Sequence, residues 1–257
     1  MLSPNLSPLL AQLEPVGLAQ LDGVALLDRT DTKYLLSLEQ LTAALAELGD
    51  QYRVLAIDGL RLSPYQTVYF DSADFALYLR HHAGKKNRHK VRSRRYLATG
   101  QSFFEVKLKT NKDRTIKRRL ATPSLATALT PDVDAFLSAQ FAQGTPQLEP
   151  KLANSFSRIT LVGTGAPERL TIDLDLRFQQ DGREVALSQI VVAEVKRGDR
   201  SRASAFMRQM QAAHIAPTSF SKYCVGVALL YPQVKHNRFK PQLRQIAKLS
   251  GGAINEY

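Results

Sequence analysis

Charged and apolar residues alternate along two neighbouring segments of the chain, Lys90–Tyr96 and Ser102–Lys109. Read at every second position, the charged residues are Lys90, Arg92, Arg94, Glu105, Lys107 and Lys109. In the second segment the positions between them hold the apolar residues Phe104, Val106 and Leu108. Successive side chains of a strand point to opposite faces of a sheet. The pattern therefore predicts two adjacent strands with one apolar face and one basic face.

Similar alternation recurs along the rest of the chain, so strands dominate the predicted structure. Further strands are predicted at Arg29–Leu36, Gln66–Asp71, Thr115–Leu120, Phe156–Val162, Arg169–Phe178, Ile190–Lys196 and Lys222–Leu230. Helical spacing of apolar residues and terminal signals predict helices at Ser37–Gly49, Val133–Ala142 and Arg202–His214. The expected fold class is α+β, mainly β.

The charged face recurs on at least five of the predicted strands. A half-exposed sheet also turns a polar face to water, but such a face mixes Lys, Glu, Thr and Ser, whereas Arg and Lys predominate here. If the strands close on themselves, their apolar sides face outward and their basic sides face inward. About eight strands enclose an interior that holds one small ligand. We therefore expect a closed antiparallel β-barrel of about eight strands around a basic tunnel, with helices packed outside.

The expected domain organisation follows from the absence of any linker, repeat or composition break. We expect an N-terminal helical segment over residues 1–28, a tunnel domain over residues 29–232 and a basic C-terminal tail over residues 233–257. The tail could be a solvated helix or an arm that binds a surface.

Composition limits the class of protein and of partner. A chain of 257 residues with 44% hydrophobic content can form a sizeable core. No apolar run of about 18 residues is present, and the N-terminus lacks the features of a signal peptide, so a cytoplasmic protein is expected. The single cysteine, Cys224, excludes an intrachain disulfide and is predicted to be a core side chain. The net charge of +12 indicates an acidic partner, either nucleic acid, an anionic membrane surface or a phosphate-rich molecule.

A tunnel lined by Arg and Lys requires counter-charge. Two like charges about 5 Å apart repel by roughly 3 kcal/mol at an effective dielectric constant of about 20. A triphosphate or polyphosphate chain supplies the opposite charge, because Arg binds phosphate oxygens bidentately and Lys acts as a point charge. The carboxylates Glu194 and Glu105 would oppose such an anion unless a divalent cation, Mn²⁺ or Mg²⁺, lies between them and the phosphates.

The ordered set of strand motifs resembles a known family. The motifs are RTDTKYLL, YFDS, KVRSRRY, FFEVKLK, KRR, FSRITL, RLTIDLDL, AEVK and SKYCVG. Together they resemble the VTC domain of polyphosphate polymerases, within the triphosphate tunnel metalloenzyme superfamily. The resemblance extends from about Arg29 to Leu230. It implies an antiparallel barrel around a basic tunnel, and a metal-dependent transfer of the terminal phosphate of ATP to a growing polyphosphate chain.

The resemblance also implies roles for individual residues. The expected catalytic residues, which would grip the reacting phosphates, are Lys33, Arg92, Arg94, Lys107, Arg158 and Arg169. The expected substrate-binding residues are Lys117, Lys196, Ser221 and Lys222. The expected metal ligands are Glu194, which the resemblance implies through the AEVK motif, and Glu105, which follows from the charge argument above.

Two departures from the family pattern limit what the resemblance implies. Hydrolytic relatives begin with an ExExK strand, whereas this chain has Arg29 at the position of the first carboxylate. This difference weakens the case for a two-metal triphosphatase. Eukaryotic polymerases of the family also carry membrane domains, which do not fit into this chain, so a partner protein could supply a membrane step.

Three other functions remain open at this point. A polyphosphate or nucleoside triphosphate hydrolase needs the same cations, and so does a non-catalytic module that binds a polyanion. A nucleic-acid binder is supported by the basic stretch His81–Lys90 on an expected loop. We disfavour it because aromatic residues do not interleave with the basic strands as stacking platforms do. Asp173 and Asp175 could activate water, but are expected rather to pair with tunnel arginines. The acceptor, the nucleotide and the oligomeric state are not predicted.

Overall fold

The computed structural model describes residues 6–22, 30–112, 114–141, 144–198 and 204–252. Three residues at the ends of predicted elements, Arg29, Ala142 and Arg202, lie outside the described residues. The division of the chain at residues 28 and 232 stays a prediction.

Strands make up most of the regular structure, as predicted. In chain order they are β1 (Pro15–Val16), β2 (Thr30–Ser37), β3 (Tyr52–Leu55), β4 (Ser63–Asp71), β5 (Arg88–Tyr96), β6 (Ser102–Lys109), β7 (Thr115–Thr122), β8 (Glu149–Gly163), β9 (Glu168–Gln180), β10 (Arg183–Leu187) and β11 (Ile190–Arg197). The helices are α1 (Leu6–Gln12), α2 (Leu18–Asp22), α3 (Leu38–Ala46), α4 (Ala76–His82), α5 (Pro131–Ser138), α6 (Ala205–Ala212), α7 (Lys222–Leu230) and α8 (Lys240–Leu249). The class α+β, mainly β, is confirmed.

One antiparallel path of eight strands forms the body of the sheet, in the order β2-β11-β9-β8-β4-β5-β6-β7. The short strand β10 pairs antiparallel with β9. Strand β3 pairs antiparallel with β8 and parallel with β1. The number of strands in the path agrees with the expected eight. The expected closure of these strands into a barrel is not observed within the described residues.

Hydrogen bonds between strands do not close the sheet within the described part of the chain. Strands β2 and β7 are the two ends of the path, with β2 bonded to β11 and β7 bonded to β6. The outer edge of β2 is instead contacted by the segment before α7, where the Thr218 amide donates to the Lys33 carbonyl at 2.8 Å. In this described part, the strands therefore form an open path and not the expected barrel closed by hydrogen bonds.

Helices cover the apolar convex face, as the alternation predicts. Ser37 caps the N-terminus of helix α3, and its hydroxyl accepts a hydrogen bond from the Gln40 amide in a capping box. Its Leu41 and Leu45 pack with Leu36 and Ala193 of the sheet. Helix α5 packs in the same way on the far half of the sheet, where Leu137 contacts the cluster that contains Phe104. The convex core therefore holds the charged faces of the strands on the concave side.

The predicted strand Lys222–Leu230 is wrong, because this segment is helix α7. Every residue from Tyr223 to Leu230 is buried, so the segment has no polar face whose period distinguishes a helix from a strand. The Ser221 hydroxyl accepts a hydrogen bond from the Cys224 amide and begins the helix. Gly226 allows its close packing, because an added Cβ would lie 2.4 Å from Leu152 and 2.7 Å from Phe178.

Helix α7 lies on the concave side of the sheet. It packs against Leu35 and Val192, which are two positions from Lys33 and Glu194 and share their face. The Tyr223 hydroxyl donates to Asp71 at 2.5 Å, which ties the helix to β4. Helix α7 thus covers one end of the charged face with apolar side chains.

The terminal segments pack on this body. Helix α1 buries Leu6 and Leu10, and helix α8 of the basic tail buries Leu243 and Ile246. The tail therefore contains a helix, but one that is anchored in the core. The expected loop around residues 81–90 is shorter than predicted, since α4 extends to His82 and β5 begins at Arg88. Among the described residues, no helix combines the length and apolar character needed to cross a membrane.

Candidate functional site

A large cavity lies on the concave face of the sheet. Its volume is about 1290 Å³, and thirteen of its lining residues are Lys or Arg whereas three are Asp or Glu. The lining includes all ten residues predicted to bind phosphate: Lys33, Arg92, Arg94, Lys107, Lys117, Arg158, Arg169, Lys196, Ser221 and Lys222. The sequence positions therefore converge on one basic cavity, whose excess of positive charge favours an anionic ligand.

Cross-strand register brings three lysines into one row. Lys90 on β5 lies opposite Lys107 on β6, and Lys107 lies opposite Lys117 on β7. Like charges directly opposite each other on adjacent strands destabilise a sheet. The row therefore carries an electrostatic cost that an anion in the cavity would relieve.

Asp173 organises one wall of the cavity. It accepts hydrogen bonds from Arg158 at 2.5 and 2.8 Å and also pairs with Lys222. Burial alone would raise the pKa of Asp173, but Arg158 and Lys222 outweigh it and hold this pKa well below its usual range. The expectation that Asp173 pairs with tunnel cations is confirmed. Asp175 lies at a left-handed backbone position, with φ of 51°, where the register between β8 and β9 shifts.

Glu194 faces the cavity between two lysines. Lys33 Nζ lies 2.8 Å from one carboxylate oxygen, and Lys196 pairs with the other. Burial would raise the pKa of Glu194, but Lys196 and Lys33 hold it well below its usual range. The carboxylate is thus ionised and borders the cavity. This donor fits a divalent cation that takes one carboxylate from the protein and its other oxygens from phosphates.

Glu105 lies behind the lining residues and is 1% exposed. Arg92 Nε and NH2 lie 2.7 and 2.6 Å from one of its oxygens, and Lys117 pairs with the other. Burial opposes ionisation, but Arg92 and Lys117 lower the pKa of Glu105 to about 2. Both oxygens are therefore held by protein cations. No cluster of three or more His, Cys, Asp or Glu in the described chain could hold a metal ion.

Six cations that line the cavity have no carboxylate partner within the described ranges: Lys90, Arg94, Lys107, Lys112, Arg114 and Arg119. Lys90 Nζ donates to Ser221 Oγ at 2.9 Å, and Arg94 Nε donates to Thr67 Oγ1 at 3.2 Å. Desolvation and the nearby Lys90 lower the pKa of Lys107 to about 8, although solvent in the cavity reaches its side chain. This unbalanced charge is the strongest electrostatic sign of an anion site.

Four lining cations, Lys90, Lys112, Arg114 and Arg119, were absent from the predicted site. Two of them had a signal in the sequence, because Lys90 begins the alternation of β5 and Arg119 is two positions after Lys117. The other two come from the turn between β6 and β7, where alternation gives no information.

Aromatic side chains also share the charged face, which corrects the expectation that they do not interleave with the basic strands. Phe156, Tyr65, Tyr96 and Phe103 form a row of ring contacts across β8, β4, β5 and β6, with centroid separations of 5.0, 5.0 and 5.9 Å. Tyr96 continues the alternation of Lys90, Arg92 and Arg94, so the sequence contained this signal too.

Comparison with known proteins finds similar solved structures and one matching family. A proposed adenylate cyclase from Bacillus halodurans has a TM-score of 0.48 and 16% identity, covering 79% of this chain and 97% of that chain. A proposed adenylyl cyclase from Hippeastrum, described as having a dominant triphosphatase activity, has a TM-score of 0.44 and 12% identity, covering 77% and 96%. A comparison with curated protein sequences finds no match. Residues 28–231 match the VTC domain, so the chain belongs to the VTC domain family.

Proposed function

We propose that the protein is a metal-dependent polyphosphate polymerase, which transfers the γ-phosphate of ATP to a polyphosphate chain in the cavity. The observation that carries the proposal is the row Lys90, Lys107 and Lys117 on adjacent strands, facing a cavity in which basic residues greatly outnumber acidic ones. A linear phosphate chain has the charge density to balance such a row. Membership of the VTC domain family supports polyphosphate as that chain.

The proposed mechanism needs no nucleophile from the protein. Phosphoryl transfer depends mainly on positioning and on neutralising the charge of the transferred group. A terminal oxygen of the bound chain forms a bond to the γ-phosphorus of ATP. The bond between this phosphorus and the oxygen that bridges to the β-phosphate breaks, and ADP leaves. The cations Arg92, Lys107 and Arg158 would align the two phosphate groups and stabilise the charge on their oxygens.

We propose that Glu194 holds the divalent cation, Mn²⁺ or Mg²⁺. When bound, this cation would neutralise phosphate oxygens that face the carboxylate. Lys33 and Lys196, which flank Glu194, would orient its carboxylate and contact neighbouring phosphates. For Glu105 we propose a positioning role, because it is buried behind the cavity lining, whereas Glu194 borders the cavity.

The test is incubation of the purified protein with γ-labelled ATP and Mn²⁺, with and without a pyrophosphate primer, followed by separation of the products on a gel. The proposal predicts labelled products whose length grows with time. Free phosphate alone would contradict polymerisation and indicate a triphosphatase. Absence of any product would leave binding of a polyanion as the better explanation.

Charge reversal of Lys107 tests the cavity itself. Lys107→Glu should abolish chain growth, because it places a negative charge in the middle of the lysine row. It should leave the fold intact, since Lys107 is exposed and forms no ion pair among the described residues. Arg183→Glu on the exposed β9–β10 hairpin is the matched control and should retain activity. Normal activity of Lys107→Glu would contradict the proposed site.

The metal role of Glu194 has a separate test. Glu194→Gln keeps the size of the side chain but removes the charge that would bind the cation. The dependence of the rate on Mn²⁺ concentration should shift to higher concentration or disappear. An unchanged Mn²⁺ titration would contradict the role.

A further inference from the structure

We propose that Tyr96, Phe103 and Arg119 form a platform on which the nucleobase of the nucleotide stacks. This inference rests on the proposed function and adds a binding subsite to it. The platform would make the protein bind a nucleoside triphosphate more tightly than a bare triphosphate.

The aromatic row has two halves with different surroundings. In the first half, Tyr65 and Phe156 are stacked at 9° between their planes and are covered by cations. The guanidinium carbon of Arg158 lies 5.1 Å from the Tyr65 centroid, and that of Arg94 lies 5.6 Å from the Phe156 centroid. These two rings already bind the arginines that face the phosphates, so their faces are not free to stack on a nucleobase.

In the second half a cation lies over Phe103, and among the described residues none lies over Tyr96. Tyr96 and Phe103 meet edge to face, with 5.9 Å between centroids and 86° between planes. Both line the cavity and are only partly buried. Arg119, which is exposed, lies over Phe103 with its guanidinium carbon 4.6 Å from the centroid. The Tyr96 ring and the planar Arg119 guanidinium, which lies over Phe103, are groups on which nucleobases stack.

The platform lies at a suitable distance from the phosphate cations. Tyr96 is four residues from Arg92 on β5, and Phe103 is four residues from Lys107 on β6. At about 3.3 Å per residue these separations are about 13 Å along the strands. An extended nucleotide with its base on the platform would therefore direct its phosphates toward the lysine row. The nucleotide would therefore bind in one orientation, with its nucleoside at the β5–β6 turn.

Stacking selects for a ring system without selecting one base. Every base presents a π-face, so platforms of this kind tolerate changes of base. We therefore expect ATP and GTP to bind with similar affinity, and tripolyphosphate to bind more weakly than either.

The test is equilibrium binding of ATP and of tripolyphosphate, measured by calorimetry on the whole protein. Phe103→Leu keeps an apolar side chain but removes the π-face. It should weaken ATP binding by about tenfold and leave tripolyphosphate binding unchanged. Phe136→Leu is the matched control, because Phe136 is also partly buried but packs on the convex side. It should change neither affinity.

Three results would overturn the platform. If Phe103→Leu weakened the binding of ATP and of tripolyphosphate equally, Phe103 would only support the cavity wall. Unchanged binding of both would mean that the base lies elsewhere. Binding of neither ligand by the unmutated protein would contradict the proposed function itself, and the platform with it. Tyr96→Leu provides a second variant in case Phe103→Leu fails to fold.

Discussion

Substitution of Glu105 by glutamine separates a positioning role from a metal-binding role for this residue. The change keeps the shape of the side chain and removes its charge. Arg92 and Lys117 then lose their common partner inside the wall of the cavity. Removing one partner of a buried ion pair is strongly destabilising when the remaining charge stays desolvated, as Arg92 does at 21% side-chain exposure.

The size of the effect follows from the pKa of Glu105. The two cations lower it from about 4.5 to about 2, which corresponds to about 3 kcal/mol of interaction. Because the folded pKa is depressed, this stabilisation is present above about pH 4.5 and is lost as the pH falls towards 2. At pH 7, Glu105→Gln should therefore lower the free energy of unfolding by about 3 kcal/mol.

The assay is urea unfolding with and without tripolyphosphate. The anion should restore more stability to Glu105→Gln than to the unmutated protein, since it meets two additional unpaired cations. Glu184→Gln removes the partner of Arg177 in an exposed pair and is the control, for which we expect little change. If Glu105→Gln were as stable as this control, the positioning role would be refuted. A normal fold with a lost response to Mn²⁺ would support metal binding instead.

Two further predictions concern α7 and the lysines of the cavity. Gly226→Ala should destabilise the protein by about 1–3 kcal/mol through overpacking, although alanine usually favours a helix. Gly165→Ala, whose added Cβ would meet open space, should not, and equal melting temperatures for the two variants would contradict the packing of α7. Desolvation lowers the pKa values of Lys107, Lys196 and Lys222 to about 8, so these side chains lose their charge as the pH rises through 8. Calorimetry should show tripolyphosphate affinity falling between pH 7 and 9 with uptake of protons near pH 8, whereas constant affinity would contradict this.

The face of each charged side chain could be predicted because a strand has a fixed period of two. Lys107 and Arg158 lie far apart in the chain, yet both line one cavity, since the apolar positions beside them must face the core. The roles predicted for these residues remain to be tested by the variants described above.

The partners of the charges could not be predicted from alternation. Arg92 meets Glu105 because β5 and β6 pair in one particular register, and Asp173 meets Lys222 because α7 crosses the concave side. Alternation gives the face of a residue but neither the register nor the element that packs over it. The metal prediction for Glu105 depended on this missing information.

For a related reason, the sequence pattern could not predict that residues 222–230 form helix α7 or that the sheet stays open. A segment that is apolar on every side fits a buried strand as well as a buried helix. Because the segment before α7 contacts the outer edge of β2, strand β7 does not pair with β2 in the described part of the chain. Closure thus depends on packing between distant segments, which local periodicity does not report.

The most direct test of the central claim is a crystal structure of the protein with tripolyphosphate and Mn²⁺. The account predicts density for the phosphate chain on the concave face, in contact with Lys90, Lys107 and Arg158. Phosphate bound only on the outer surface, with the cavity free of anion at saturating concentration, would contradict it.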